Sequence, residues 1–148
     1  DVVRLTDYIR MQKIWQDDEI IELNFVCSSE VITASAKIYV SDSIIDDLIY
    51  QIKQFLNGNA IESFWANEEL GDNSTACVSL HFLHKDKLGH LLVEVYMELD
   101  DGGKLSTHNC CFYINTEVGL LTEFCERLPL LKKGSLDATV VLNGDVIE

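Results

Sequence analysis

Hydrophobic and polar residues alternate most regularly in the middle of the chain, in three runs within residues 76–128. Alternation with a period of two is typical of a strand with one buried face. The apolar positions of these runs are Val78, Leu80, Phe82, then Leu91, Val93, Val95, Met97, Leu99, and last Cys110, Phe112, Ile114. Polar segments at 84–90 and 100–104 separate the runs. We therefore expect a meander of three antiparallel strands.

Two more alternating runs, 19–27 and 31–40, come before the meander and predict a hairpin. Their inward positions are Ile21, Leu23, Phe25, Cys27, Ile32, Ala34, Ala36, Ile38 and Val40. Residues 61–66 predict a further strand or an extended lead into the meander, and 68–74 a polar loop. The pattern is least regular over 2–14, where Val3 and Leu5 would fit a short strand, and Trp15 to Asp18 resembles a turn.

The apolar period changes to 3.6 at two places, and each predicts an amphipathic helix. The first helix spans 43–57, with N-cap candidates at 41–43 and Gly58 at its end. The second spans 116–128, with Asn115 or Thr116 as its cap and Pro129 as its stop. Its inner side would carry Val118, Leu121, Phe124, Cys125 and Leu128.

This order of elements predicts an α+β domain with a mainly antiparallel β-sheet, its apolar face covered by the two amphipathic helices. A sandwich with the helices at its edge is the alternative. We assign the single domain to residues 1–133. Residues 134–148 then form a tail, which is a short hairpin around Asn143-Gly144 or disordered.

Composition narrows the functional classes. The 148 residues suit one domain, 47% are hydrophobic, and the longest apolar runs have strand length, so we expect no membrane span. The net charge of -14 argues against nucleic acid and can steer association with a basic partner. The alternative is that the acidity only keeps the surface soluble. Five cysteines without CxxC spacing, Cys27, Cys77, Cys110, Cys111 and Cys125, indicate reduced thiols in a cytoplasmic protein.

No catalytic motif was recognised, and we expect no enzyme activity, no cofactor and no metal. Glu94 and Glu98 share a strand face but lie over ~13 Å apart, too far for an acid–base pair. His84 and His90 flank one hairpin loop with Asp86 between them. These three residues could form a surface metal or pH-sensitive site, and the alternative is ordinary exposed histidines.

The remaining candidate is an outward row of Glu94, Tyr96 and Glu98. An aromatic side chain among acids suits a contact surface for a basic protein. The alternative is that Tyr96 only packs against its cross-strand neighbours. Trp15 and Trp65 are both expected to close the edges of the core.

The order of elements resembles a group of small bacterial proteins that includes the immunity proteins of wall-associated polymorphic toxins. Five segments carry the resemblance: Lys37-Ile38-Tyr39-Val40-Ser41, Ser43 through Ile52, Val78-Ser79-Leu80-His81-Phe82, Gly89 through Val95, and Cys111 through Glu117. The resemblance implies a non-enzymatic cytoplasmic protein that neutralises a toxin by binding it. Two other functions remain open: a small-ligand-binding or hydrolytic domain with a pocket between helix and sheet, and a subunit that self-associates through a sheet edge.

Overall fold

The computed structural model describes residues 7–68, 77–99 and 108–145. The strands in these residues are β1 (Tyr8–Gln16), β2 (Ile21–Ser28), β3 (Thr33–Val40), β4 (Ser63–Ala66), β5 (Cys77–His84), β6 (His90–Leu99), β7 (His108–Glu117) and β8 (Thr139–Asn143). The helices are α1 (Asp42–Leu56), α2 (Val118–Arg127) and α3 (Leu130–Lys133). The strand proposed around Val3 and Leu5, most of the loop 68–74 and the turn 100–104 lie outside the described residues.

The strands form two antiparallel sheets of four strands each. Sheet A has the order β3-β2-β1-β8, and sheet B has the order β4-β5-β6-β7. The predicted α+β class with mainly antiparallel strands is confirmed, as are the β5–β6–β7 meander and the β2–β3 hairpin. The strands are divided between two sheets, where one was expected.

Both sheets turn their apolar faces to one hydrophobic core, which the helices complete. Phe55 of α1 packs against Phe82 of β5 with ring centroids 6.2 Å apart. Trp65 is almost fully buried, as predicted, and its indole N–H donates to the carbonyl of Ile44 at 3.0 Å. Each fully buried side chain of this size stabilises the fold by about 1.5–3 kcal/mol. Burial of these side chains determines which side of each strand faces the core, and therefore which side chains point outward.

Helix α1 matches its prediction to within one residue at each end. Ser41 is the N-cap, and its hydroxyl accepts a hydrogen bond from the Ile44 amide at 3.3 Å. Gly58, just beyond the C-cap, has a φ of 77°. Only glycine adopts this left-handed conformation without strain, so the helix ends where the sequence predicts.

Helix α2 begins later than predicted. Pairing with β6 extends β7 to Glu117, and this keeps Asn115 and Thr116 in the strand instead of at the cap. Val118 is 41% exposed and is not on the inner side. The other four predicted inner residues are buried, and α2 ends before Pro129, after which the short α3 follows.

The segment that the prediction placed in a tail contains a core strand. β8 pairs with β1 along its whole length, and Val140 and Leu142 are fully buried. Asn143, which the sequence placed in a hairpin turn, instead pairs with Tyr8 at the start of β1. Residues 134–145 therefore belong to the folded domain, and the boundary at 133 is corrected.

Strand β1 contains a buried lysine. Lys13 follows Ile9 and Met11 on the inner face and is 0% exposed. Its ammonium donates to the carbonyl of Gly134 at 2.7 Å, to the carbonyl of Lys132 at 3.4 Å and to Gln16 Oε1 at 2.8 Å. These acceptors match the three donors of an ammonium group. Lys13 thereby fastens the end of α3 to sheet A.

Neither α1 nor the two helices after β7 has the length and apolar character that crossing a bilayer requires, and no other helix occurs in the described residues.

Candidate protein-binding surface

Glu94, Tyr96 and Glu98 lie together on the outward side of β6, as predicted. Val95 and Met97 between them, and Val93 before them, are fully buried, so the alternation of the strand leaves the three polar side chains partly exposed on the opposite side. The sequence expectation about their orientation is thus met. Their role in binding stays a prediction.

Strand pairing extends this row into a larger surface. Phe64, His81, Glu94 and Tyr113 are register partners across all four strands of sheet B. We call the outward side chains of Phe64, His81, Glu94, Tyr96, Glu98 and Tyr113 the acidic face. Its aromatic ends are exposed, at 49% for Phe64 and 47% for Tyr113.

Glu94 is the centre of the acidic face. Its Oε2 accepts a hydrogen bond from the Tyr113 hydroxyl at 2.6 Å. That hydrogen bond and the charge of the carboxylate raise the pKa of Tyr113, because both favour the neutral phenol. The pair fixes two side chains from neighbouring strands in one arrangement.

Tyr96 and Glu98 form a second pair. Partial burial, then the charge of Glu98 and a hydrogen bond to it, raise the pKa of Tyr96. Tyr96 therefore carries its proton at neutral pH and faces a carboxylate. The register partners of Tyr96 are Ser79 and Cys111. The alternative of simple cross-strand packing against these neighbours is therefore compatible with the contact to Glu98.

His81 stands between two carboxylates. Its Nε2 lies 3.6 Å from Glu62 Oε2, and its Nδ1 lies 4.0 Å from Glu94 Oε1. The imidazole ring also meets the ring of Phe64 edge-on, at 6.2 Å between centroids. The acidic face thus continues from Glu94 to Glu62, beyond β6.

Lysine and arginine are absent from the strands that form this surface. The sequences of β4, β5, β6 and β7 contain no lysine or arginine but include Glu94, Glu98 and Glu117. The nearby Lys85, in the loop after β5, donates to Asn115 Oδ1 at 3.0 Å. Sheet B therefore offers carboxylates that no lysine or arginine within its strands neutralises.

Sequence reasoning did not select Phe64, His81 or Tyr113. For His81 and Tyr113 the signal was present, because the inward residues of both strands had been assigned and the intervening positions must point outward. Phe64 lies on a strand of four residues whose partner was unknown. The register of the strands places these side chains in one row with Glu94, and the composition of the chain does not reveal this.

Of the three residues that the sequence proposed as a histidine site, His90 and Asp86 are in contact and His84 is not part of that contact. His90 Nδ1 lies 2.6 Å from Asp86 Oδ2, as the shared loop suggested. His84 turns away and stacks on Phe55, with ring centroids 4.5 Å apart. Cys110 and Cys111 point to opposite sides of β7, and all five cysteines are in the thiol form.

Two surface grooves accompany these features. One of about 440 Å³ is lined by Trp15, Asp17, Ile20, Glu22 and Tyr39 of sheet A and its turn. Trp15 is 46% exposed and forms part of this groove, so the expectation that it closes the core is wrong. The other groove, about 500 Å³, runs between β7 and the β2–β3 turn. Both grooves are open to the outer surface.

Comparison of the chain with protein-family models, with curated proteins and with solved structures found no match. Its function is therefore inferred from the chemistry of its surfaces.

Proposed function

We propose that this protein is a non-enzymatic binding protein that neutralises a basic toxin domain, and that the acidic face of sheet B is its contact surface. The supporting observation is the row Phe64, His81, Glu94 and Tyr113, which combines exposed aromatic rings with a carboxylate in strands without a lysine or arginine. Tyrosine is among the residues that contribute most to binding energy at interfaces.

The hydrogen bonds within the acidic face support this role. Tyr113 and Glu94 hold each other at 2.6 Å before any partner arrives. A pre-arranged side chain loses less conformational freedom on binding than a mobile one, at about 0.5–1.5 kcal/mol for each side chain. The face is therefore suited to rapid and tight docking.

Charge supports the choice of partner. A chain with a net charge of -14 attracts a basic domain over a distance, and this raises the association rate. The same charge disfavours nucleic acid as a ligand. A cytoplasmic location fits five cysteines in the thiol form.

The test begins with the gene neighbourhood. A basic toxin domain encoded beside the gene is co-expressed with the chain, and the purified proteins are titrated by calorimetry. We expect growth to be rescued and a one-to-one complex with a Kd of ~10⁻⁹ M or below. Neutralisation by binding requires one chain for each toxin. Absence of both a complex and rescue would contradict the proposal, and rescue by catalytic amounts of the chain would favour the hydrolytic alternative.

A further inference from the structure

Three potential metal ligands from distant parts of the chain meet at one end of sheet B. They are His90, the first residue of β6, Glu117, the last residue of β7, and Asp145, which follows β8. One ligand atom from each lies within 4.8 Å of the other two. This cluster is separate from the acidic face, and it shares only His90 with the histidine pair that the sequence proposed.

The fold positions each of the three residues independently. His90 and Glu117 are register partners in the β6–β7 pair. Asp145 is brought to them by its own amide, which donates to the carbonyl of Asn115 at 3.0 Å. Thr116 adds a hydrogen bond to the carbonyl of Asn143 at 2.8 Å.

Gly144 shows how close this approach is. A Cβ at that position would lie 2.6 Å from the carbonyl oxygen of Asp7 and 2.7 Å from that of Asn115. Real Cβ atoms do not come so near to backbone oxygens, so only glycine lets the chain after β8 pass here. The placement of Asp145 is therefore built into the backbone.

A carboxylate oxygen in the cluster has no partner among the described residues. The Oδ1 atom of Asp145 is buried and accepts no hydrogen bond there. A buried carboxylate oxygen without a hydrogen bond is costly, and such atoms are normally satisfied by a donor or a cation. This atom indicates a cation, since the other members of the cluster bring a second carboxylate and an imidazole.

Asp86 supplies the outer contact that metal-binding histidines usually have. Its Oδ2 lies 2.6 Å from His90 Nδ1, while its Oδ1 accepts from the amides of Leu88 and His90 at 2.7 and 3.2 Å. A carboxylate on one ring nitrogen fixes the tautomer and directs the other nitrogen toward a metal. Nε2 of His90 is thus the nitrogen left for an ion.

We propose that His90, Glu117 and Asp145 bind a zinc ion, with Asp86 as the positioning residue for His90, and that the ion ties the end of β8 to sheet B. One imidazole and two carboxylates suit zinc, whereas calcium and magnesium prefer oxygen ligands alone. Zinc bonds of about 2.0–2.1 Å require the ligand atoms to come closer than 4.8 Å. Glu117 is exposed and can move by this amount.

The experiment is calorimetric titration of the metal-free full chain with zinc chloride. We expect one ion per chain, with affinity reduced at least ~10-fold in each of His90→Ala, Glu117→Gln and Asp145→Asn. His84→Ala is the matched control, because His84 lies on the same hairpin but stacks on Phe55. It should bind zinc like the unmodified chain. Circular dichroism of every variant verifies that it is folded.

Asp86→Asn tests the positioning role separately. Asparagine keeps an oxygen for the two loop amides but removes the carboxylate oxygen that faces His90 Nδ1. Zinc affinity should fall ~10–100-fold while the melting temperature without metal stays the same. An unchanged affinity would overturn this part of the proposal.

Cobalt serves as an optical probe of the ligands. Bound at this site, it should show no thiolate charge-transfer band, because nitrogen and oxygen hold it. Zinc binding that survives His90→Ala and Asp145→Asn but is lost in Cys111→Ser would overturn the site and assign the metal to an exposed thiol.

Discussion

The outer faces of the two sheets repeat one arrangement in different electrostatic settings. On sheet B, Tyr113 pairs across strands with Glu94, and on sheet A, Tyr39 pairs across strands with Glu22. In both pairs a hydrogen bond to the glutamate and the charge of the glutamate raise the pKa of the tyrosine. Each face carries a further aromatic side chain: Trp15 is the register partner of Glu22 on sheet A, and Phe64 is the register partner of His81 on sheet B.

Cations distinguish the two faces. Sheet A carries Arg10 and Lys37 on its outward side, and Arg10 lies 5.9 Å from the centre of the Tyr8 ring. Sheet B carries no lysine or arginine in its strands. The acidity of sheet B therefore comes from missing cations as much as from its acids. A net charge for the whole chain does not reveal this difference.

Reversing charge on sheet B should have the largest effect. The double variant Glu94→Lys and Glu98→Lys places two cations against a basic partner, and like charges in contact cost several kcal/mol. We expect affinity for the toxin domain to fall ~100-fold or more, measured by calorimetry at fixed salt.

The matched control is Glu22→Lys on sheet A, beside the Trp15 groove. We expect this variant to bind within about threefold of the unmodified chain, since rim or distant charges act mainly on the association rate. The opposite order of effects would assign the contact to sheet A and its groove.

The inner faces differ as well, and this difference concerns stability. Lys13 of sheet A is fully buried, whereas the buried residues of the sheet B strands include no charged side chain. Lys13→Met keeps the volume but removes the donors for Gly134, Lys132 and Gln16. We expect the free energy of unfolding to fall by about 1–3 kcal/mol, measured by urea denaturation, because partly buried acceptors lose their donor.

Lys37→Met, on the exposed side of sheet A, is the control for that substitution and should change stability by no more than about 0.5 kcal/mol. Equal losses of unfolding free energy in both variants would mean that the hydrogen bonds of Lys13 do not stabilise the fold.

Local pattern was enough to predict the acidic face in outline but not the sheets that carry it. The alternation around Glu94, Tyr96 and Glu98 reports burial on one side of a strand, a property of neighbouring residues. The β1–β8 pair joins Tyr8 to Asn143, and no local pattern records a partner so far along the chain. Lys13 also made β1 harder to predict from the sequence, because a charged residue at an inward position breaks the alternation of apolar and polar residues.

The candidate zinc site shows the same limit more strongly. His90 and Asp86 were associated from their shared loop, and their contact is present. Glu117 had been assigned to a helix, and Asp145 to a tail outside the domain. Only the register of β6 with β7 and the path of the chain after β8 bring the three ligands together.

The smallest expected effect is a change in the pKa of one tyrosine, which tests whether the Tyr113–Glu94 and Tyr39–Glu22 pairs are independent. Glu94→Gln should lower the pKa of Tyr113 and leave that of Tyr39 unchanged, while Glu22→Gln should do the reverse, as followed by tyrosine ring signals in alkaline NMR titrations. A pKa raised on folding contributes stability that is full below the ordinary tyrosine value of about 10 and is lost as pH rises through the higher folded value. Each pair therefore favours the folded chain at neutral pH and stops doing so in strong alkali. If one glutamine variant shifted both tyrosines, the two faces would be coupled through the core, and assigning partner binding to sheet B alone would no longer hold.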